Sequence, residues 1–288
     1  MTQAPLSTGM GPIGDTWWPA PAKLNLLLRV VGRRQDGYHL LQTVFQFLDF
    51  GDRLRFRLRD DGQVRRLVEL AGVPEARDLV VRAARLLQEE AGITLGADIE
   101  LDKRLPMGGG LGGGSSDAAT TLVVLNKIWR AGLSTEHLAE LGLTLGADVP
   151  VFVRGVSAWG EGVGEHLTPV ELPEPWFLVL VPGCEVPTAD IFGDPDLTRD
   201  SPRITIRDFL AGRVENDCIP VVCRRFPEVA EAMDWLAQPR LTGTGACVFA
   251  VFASEADALR VKEAAAGRYQ AFVARGVNHS PLLKMVEQ

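Results

Sequence analysis

The residues with the clearest chemical potential lie in one glycine-rich segment, residues 106–119, which reads PMGGGLGGGSSDAA. A glycine loses more backbone freedom on folding than any other residue, so such a run is favoured only where the backbone must approach something closely. The segment follows a predicted strand and opens a predicted helix, whose first N–H groups can bind an anion. The pattern predicts a phosphate-binding loop made of Pro106, Met107, Gly108, Gly109, Gly110, Leu111, Gly112, Gly113, Gly114, Ser115 and Ser116.

This loop differs from the two commonest nucleotide-binding motifs. It lacks the closing Gly-Lys-Ser/Thr of a P-loop, and its G-x-G-x-x-G matches do not follow a first Rossmann strand. The alternative, a flexible surface loop, is disfavoured by the strand before it and the amphipathic helix after it. Ser115 and Ser116 add hydroxyl donors, or ligands for a Mg²⁺ ion on a phosphate.

A second glycine cluster, LTGTGA at residues 241–246, precedes an apolar strand-like run. Alone it is at least as consistent with a tight turn. Paired with the first cluster, it suggests a second backbone wall around a polyphosphate, and its candidate residues are Thr242, Gly243, Thr244 and Gly245.

Composition and charge restrict the class of protein. The chain has 288 residues and a formal net charge of −7, which disfavours general binding to nucleic acid or to an anionic membrane. No apolar run reaches the roughly 18 residues of a membrane span, and the N-terminus has no secretory pattern. The four cysteines are scattered without a metal-binding spacing. We therefore expect reduced thiols and a cytoplasmic protein.

The order of elements predicts an α+β fold with two lobes. After a loose tail at 1–16, strands are expected at 24–31, 40–50, 53–59 and 99–103. Helices are expected from the N-cap Asp78 to Gly92, from the glycine run onward, and from near Ser134 to a point before Pro150. The second half shows strands at 176–181 and 247–253 and helices near 228–237 and 255–266. The alternating arginines of residues 53–59 are read as a solvated sheet face, since nearby aspartates offset their charge.

Five ordered blocks resemble the GHMP small-molecule kinases. The glycine run, extended to 106–126, resembles the family's second motif, and residues 21–49 (PAKLNLLLRVVGRRQDGYHLLQTVFQFLD) resemble its first. Residues 145–155 (LGADVPVFVRG), 241–252 (LTGTGACVFAVF) and 276–282 (GVNHSPL) resemble further blocks. Any one glycine cluster would be unspecific, whereas the ordered set covers the chain from about Pro21 onward.

The resemblance implies a function as well as a fold. Within the family it points to the branch that transfers the γ-phosphoryl group of ATP to the 2-hydroxyl of a cytidine diphosphate methylerythritol, in non-mevalonate isoprenoid synthesis. ATP would be the co-substrate, with Mg²⁺ expected and no nucleic-acid or membrane partner. The active site would lie between an ATP-binding lobe at 1–165 and a substrate-binding lobe at 166–288, whose C-terminus packs back on the first lobe.

The resemblance also assigns the two catalytic side chains. Lys23 matches the active-site lysine and would stabilise charge on the transferring phosphoryl group. Asp148 matches the catalytic aspartate and would accept or orient the proton of the hydroxyl. Without the family, Asp148 reads as a helix cap or turn residue before Pro150.

The remaining matches concern substrate and nucleotide. Tyr38 would stack on the cytosine, with Phe192 on its other face, and His39 would hydrogen-bond the base edge. Further matches or candidates are Asn25, Lys103 and Thr188. Without the resemblance, Asn25 could equally be a polar position on a strand, and Tyr38 and Phe192 could be ordinary core residues.

Two positions depart from the family pattern. Asp78 stands where an asparagine contacts adenine, so that contact is either remade through the backbone or Asp78 only caps a helix. Asp117 stands where related sequences often carry asparagine, which adds charge near the phosphates.

Two other functions compete with this one. One is another GHMP kinase acting on homoserine, mevalonate or a sugar, which Tyr38-His39 and the long glycine run disfavour. The other is a non-catalytic nucleotide-binding module, which the presence of both Lys23 and Asp148 disfavours.

Overall fold

A computed structural model describes residues 14–287 of the chain. The predicted tail therefore lies, up to residue 13, outside the described residues. The strands are β1 (Trp18–Arg33), β2 (His39–Arg59), β3 (Val64–Arg66), β4 (Gly96–Asp102), β5 (Ala158–Gly162), β6 (His166–Pro169), β7 (Trp176–Val181), β8 (Arg240–Leu241), β9 (Val248–Phe252) and β10 (Gln270–Val277). The helices are α1 (Leu79–Ala91), α2 (Gly113–Ile128), α3 (Thr135–Leu145), α4 (Val149–Arg154), α5 (Thr188–Gly193), α6 (Ile206–Leu210), α7 (Ile219–Arg225), α8 (Pro227–Trp235), α9 (Glu255–Ala265) and α10 (Pro281–Val286).

The strands form one mixed sheet whose main order is β3-β4-β2-β10-β7-β9-β8, with β1 and β5 also paired to β2 and β6 paired to β5. Every pair is antiparallel except β3 with β4. The predicted α+β class is confirmed. No helix within the described range is long and apolar enough to cross a bilayer.

Three apolar clusters form the core. The first joins α1, α2, α3 and α4 to the inner faces of β2 and β4, and Leu282 of α10 packs into it. The second joins α7 and α8 to β7 and β9, and the third contains residues of β1, β2, β7 and β9, including Leu24 and Phe249. The predicted lobe division at residue 165 stays a prediction.

Most of the predicted helices form where the cap residues indicated. Asp78 caps α1 by accepting a hydrogen bond from the Val80 amide, and Gly92 ends it at φ 60°. Ser134 caps α3 through the His137 amide. The short α4 was not predicted because Pro150 reads as a terminator, although proline is well tolerated in a first helical turn.

The two strands predicted at 40–50 and 53–59 are one continuous strand, β2, so the predicted break is wrong. β1 passes so close that a Cβ on Gly51 would lie 2.1 Å from the carbonyl oxygen of Ala20, which explains the glycine without a turn. Three of the four arginines of this strand, Arg53, Arg55 and Arg59, form ion pairs with carboxylates of β4, as expected for a solvated sheet face.

Candidate active site

The glycine loop connects β4 to α2 and is braced by its carbonyl groups. The carbonyl oxygens of Gly108 and Gly109 accept hydrogen bonds from the amides of Ala246 and Cys247, both at 3.1 Å. The carbonyl of Leu111 accepts from the amide of Lys23 at 3.0 Å. Backbone amides of two neighbouring segments, at Lys23 and at residues 246–247, therefore hold the loop in one position.

The amides of the same loop have no acceptor. Within the described chain, no hydrogen bond is donated by the backbone N–H groups of residues 108–115, and no side chain caps α2 at Gly112. Buried or enclosed amides normally find a partner, and those at a helix start carry partial positive charge. A row of such donors beside a cleft is a binding site for an anion such as a phosphate.

Two of the glycines are required by close contact. Gly110 has φ 75°, and a Cβ there would lie 2.3 Å from the Thr242 carbonyl oxygen. Gly112 has φ 72°, and its Cβ would lie 2.7 Å from Phe152 and 3.1 Å from the Lys23 side chain. The loop therefore approaches both the second glycine cluster and the lysine more closely than any side chain permits.

Lys23 lies on β1 with its ammonium almost fully buried. Its Nζ is 3.2 Å from Asp148 Oδ2 and 3.2 Å from the Gly110 carbonyl oxygen, and it also donates to Asn25 Oδ1. Asp148 precedes α4 but caps no amide with its side chain, so its carboxylate is available to the lysine. The structure brings together the two residues predicted to be catalytic.

Asn25 is oriented by three partners. Its Nδ2 donates to Thr43 Oγ1 at 2.8 Å, and its backbone amide donates to Thr242 Oγ1 at 3.1 Å. Its amide oxygen is thereby turned towards the Lys23 ammonium. Thr242 also donates to the Gly110 carbonyl, so one threonine ties β1 to the glycine loop.

These groups line one cleft of about 610 Å³. The predicted residues on its wall are Lys23, Asn25, Lys103, Pro106, Met107, Gly108, Gly109, Gly110, Leu111, Gly112, Gly113, Gly114, Ser115, Asp148, Thr188, Phe192, Gly243 and Thr244. Three predicted residues, Ser116, Thr242 and Gly245, are buried behind that wall and support it.

A second cavity of about 500 Å³ adjoins the cleft and shares Thr188 and Phe192 with it. Tyr38 and His39 line this cavity. The His39 ring stacks on Phe192, with centroids 5.0 Å apart and planes at 25°, while Tyr38 is 65% exposed at the cavity mouth. The predicted placing of a base between Tyr38 and Phe192 stays a prediction.

Arg199 is a residue that sequence reasoning missed. Its Nε donates to His39 Nε2 at 3.0 Å, and its Nη2 donates to the carbonyls of Phe192 and Asp194. Burial, and then the charges of Arg199 and Arg33, lower the pKa of His39 below its ordinary value. The imidazole is thus neutral with Nε2 accepting, which leaves its proton on Nδ1. No motif marks Arg199, since it lies 160 residues from its partner.

Lys103 stands between two buried carboxylates. Its Nζ is 2.5 Å from Asp52 Oδ2 and 2.9 Å from Asp117 Oδ2, while Asp52 also accepts from the amides of Arg104 and Leu105. Burial acts against the charged lysine, but the two carboxylates outweigh it and raise the pKa of Lys103. Its long-range partner Asp52 was not predicted.

Asp117 is the carboxylate left short of partners. Burial raises the pKa of Asp117 to about 8, and the nearby Asp52 adds to the rise although Lys103 opposes it. Its Oδ1 atom is buried and has no partner within residues 14–287. Asp117 therefore places a surplus acid under the glycine loop.

Asp78 has both carboxylate oxygens engaged. Oδ1 accepts from the Val80 amide at 2.9 Å, and Oδ2 pairs with Arg66. Asp78 lies on the wall of the cleft, but these partners make it a helix cap and ion-pair residue. The structure thus favours the second of the two expectations for this position.

Comparison with known proteins adds an independent line of evidence. The family models described as GHMP kinases N terminal domain and GHMP kinases C terminal match residues 78–156 and 207–271, together half of the chain. A 4-diphosphocytidyl-2-C-methyl-D-erythritol kinase from Pseudomonas paraeruginosa is 60% identical over 272 residues, covering 93% of this chain and 96% of its own. One from Methylococcus capsulatus is 58% identical over 274 residues, covering 94% of each chain.

Comparison with solved structures also finds kinases. A crystal structure of 4-(cytidine 5'-diphospho)-2C-methyl-D-erythritol kinase matches with a TM-score of 0.79 and 34% identity, covering 91% of this chain and 99% of that one. A homoserine kinase from Cytophaga hutchinsonii matches with a TM-score of 0.64 at 18% identity, covering 96% and 99%. The second likeness concerns the fold alone.

The Asp117 carboxyl leads to a prediction about stability. Its pKa is higher in the folded than in the unfolded chain, so its protonated form is favoured by folding, and this carboxyl costs stability progressively as pH rises from about 4 to about 8. The variant Asp117→Asn has no such cost. Its free energy of unfolding, relative to the original chain, should therefore rise from pH 5 to pH 8 in denaturant titrations without nucleotide or divalent metal. A difference that is constant or shrinks over this range would contradict the assignment.

Proposed function

The chain belongs to the GHMP kinases and, within them, to the 4-diphosphocytidyl-2-C-methyl-D-erythritol kinases, and we propose that its phosphoryl transfer takes place between the glycine loop and the Lys23–Asp148 pair. It is a small-molecule kinase that phosphorylates the cytidine diphosphate derivative of methylerythritol with ATP, in isoprenoid precursor synthesis. The observation that carries the proposed mechanism is the row of partnerless amides at residues 108–115 facing the same cleft as the paired lysine and aspartate.

The glycine loop binds the triphosphate of ATP. Its free amides donate to phosphate oxygens, and the start of α2 adds the favourable end of a helix dipole. Because the carbonyls of the loop are already engaged, the amides are held in place before the nucleotide arrives. Binding then requires little reorganisation of the loop.

The residues present also fit a Mg²⁺ ion carried by the nucleotide. No group of three or more histidine, cysteine or acidic side chains within the described residues forms a metal cage. Mg²⁺ bound through phosphates and water needs only one or two protein oxygens. Ser115 lines the cleft and would supply one such oxygen to the ion, which neutralises phosphate charge when bound.

Lys23 and Asp148 act on the reacting groups. As the bond from the substrate 2-hydroxyl oxygen to the γ-phosphorus forms and the bond to ADP breaks, Asp148 accepts or orients the hydroxyl proton. The Lys23 ammonium stabilises negative charge on the transferred group. Asn25 holds that ammonium in place through its amide oxygen.

The adjoining cavity binds the cytosine base. His39 presents its Nδ1–H as a donor because Arg199 occupies Nε2, and Phe192 and Tyr38 offer aromatic faces for stacking. The cleft that contains the Lys23–Asp148 pair and the base cavity share Thr188 and Phe192 as lining residues. One extended substrate can therefore span both.

A cytoplasmic location and the lobe division belong to the same proposal. All four cysteines are free thiols, which suits a reducing compartment. The lobe at 1–165 supplies Lys23, the glycine loop and Asp148, and the lobe at 166–288 supplies Thr188, Phe192 and Arg199. We therefore assign ATP binding to the first lobe and part of the base cavity to the second.

The substrate is tested directly by ADP release. The cytidine diphosphate substrate should support turnover, whereas mevalonate and homoserine should not, since neither offers a base to the cavity of His39 and Phe192. Equal turnover with mevalonate or homoserine would favour another GHMP specificity, and no turnover with any of the three would favour a nucleotide-binding module.

Asp148→Asn tests the transfer step. It keeps the shape of the side chain but removes the charge and the proton acceptor, so kcat should fall about a hundredfold or more. ATP affinity, measured by calorimetry, should change little because the glycine loop is intact. The matched control is Glu136→Gln, which alters an exposed carboxylate on the neighbouring α3. A kcat equal to that of the control would remove Asp148 from the mechanism.

Arg199 is a positioning residue for base recognition. Arg199→Ala should raise KM for the cytidine substrate about tenfold, the value of one charge-assisted hydrogen bond, with kcat and the KM for ATP nearly unchanged. The pKa of His39, followed by NMR, should rise, because one of the charges that lower it is gone.

Arg199→Lys keeps the charge and one donor, so it should restore part of the affinity. If Arg199→Ala leaves the His39 pKa unmoved while the KM for both substrates rises, Arg199 acts only on the structure of the 192–199 segment.

A further inference from the structure

A third cavity, of about 270 Å³, is not used by any step described above. It lies between β1, the segment 214–219 and the residues around β8. Asn25 lines both this cavity and the catalytic cleft. Its volume is below that of a typical pocket for a drug-sized ligand, so it would suit a smaller molecule.

One arginine on its wall lacks a partner. Within residues 14–287, the Arg240 side chain makes no hydrogen bond and no ion pair, although it is partly buried. In register, Arg240 pairs with Phe249, so both lie on the same face of the sheet, towards the third core cluster. Burial lowers the pKa of Arg240, with no carboxylate to oppose the effect. A partly desolvated guanidinium without an acceptor is costly, and a bound anion would remove that cost.

The other charged groups around the cavity do not cancel this arginine. The one lining carboxylate, Glu215, lies 3.2 Å from Arg29 and 3.5 Å from Arg213. Those two guanidinium groups already compensate it. An anion entering the cavity therefore meets a net positive charge, in a protein whose overall charge is −7.

The rest of the wall is mainly apolar. Its lining includes the apolar residues Leu26, Val214, Ile219, Pro239 and Leu241, together with Asn216 and Gln238. The two Asn216 side-chain hydrogen bonds to the carbonyls of Leu241 and Gly243 leave that amide little capacity for a ligand. Apolar walls with one charged anchor suit a molecule that has an acidic head and a short hydrocarbon body.

We propose that this cavity is a second ligand site, which binds a small anion with an apolar body, such as a short alkyl phosphate or carboxylate, through the guanidinium of Arg240. The guanidinium accepts either head group in a bidentate manner, and the hydrocarbon displaces water from the apolar wall. The site is separate from the triphosphate site, since Arg240 does not line the catalytic cleft.

The site is nevertheless joined to the catalytic machinery by short connections. Asn216 fixes the carbonyls of Leu241 and Gly243, both at 2.9 Å. Thr242, between them, contacts the Asn25 amide and the Gly110 carbonyl. An occupant of the cavity therefore contacts the segment that braces the glycine loop.

Calorimetric titration of the full chain with butyl phosphate tests the proposal. The glycine loop is first saturated with Mg²⁺ and a non-hydrolysable ATP analogue, so that phosphate binding at the loop does not contribute. Butyl phosphate should bind saturably at one site, hexanoate should compete with it, and inorganic phosphate, which lacks the apolar body, should bind more weakly. Competition by hexanoate shows that a carboxylate head serves as well as a phosphate head.

Arg240→Gln should weaken butyl phosphate binding about tenfold or more, because it removes the charge-assisted pair, and should leave kcat and both KM values unchanged. Arg57→Gln is the matched control: this arginine lies exposed on β2 and makes no ion pair in the described part of the chain. Its affinity for butyl phosphate should equal that of the original chain.

Three results would overturn the proposal. They are no binding once the glycine loop is saturated, equal binding by the chains with and without Arg240→Gln, and an equal loss in Arg57→Gln. Unchanged turnover in Arg240→Gln shows that this variant is folded, so a loss of binding is then specific to the cavity.

Discussion

The buried ammonium of Lys23 is the interaction on which the geometry of the cleft depends. A charge taken out of water must be compensated, and three different segments do so: Asn25 on the same strand, the Gly110 carbonyl of the loop, and Asp148 before α4. Each segment is thereby fixed relative to the others. The lysine is a structural junction and also the group that we propose stabilises the transferred charge. The loop packs so tightly against it that Gly112 has no room for a Cβ.

How much was predictable depends on how local each signal is. The glycine loop, the caps Asp78 and Ser134 and the strand at 176–181 were predicted, because their signals lie within a few neighbouring residues. Strand β10 was missed, although it joins the two halves of the sheet through β2 and β7. Its sequence does not alternate between apolar and polar residues, because each face of the strand is only partly buried.

The candidate site divides in the same way. The family resemblance supplied Lys23, Asp148 and His39, but sequence patterns could not supply Arg199 or Asp52, which contact their partners across 160 and 51 residues of chain. Such contacts are created by folding, and no local spacing of residues in the sequence indicates them. The predicted strand break near Gly51 has the same origin. The sequence shows a glycine between acids, and only the fold shows that β1 crosses there and that Asp52 turns inward to Lys103.

The two lysines of the cleft differ in how completely their charges are neutralised, and this difference supports the roles proposed for them. The Lys103 ammonium lies 2.5 Å from the fully buried Asp52 carboxylate and 2.9 Å from Asp117, so its positive charge is already balanced within the protein. Lys23 faces one carboxylate that is one-third exposed, together with two neutral oxygens. Of the two, Lys23 therefore has the greater attraction for an incoming phosphoryl oxygen. Lys103 instead secures the base of the glycine loop, where a Cβ on Gly113 would lie 3.0 Å from its Nζ. One ammonium is thus committed to holding the loop, which leaves the other to act on what the loop binds.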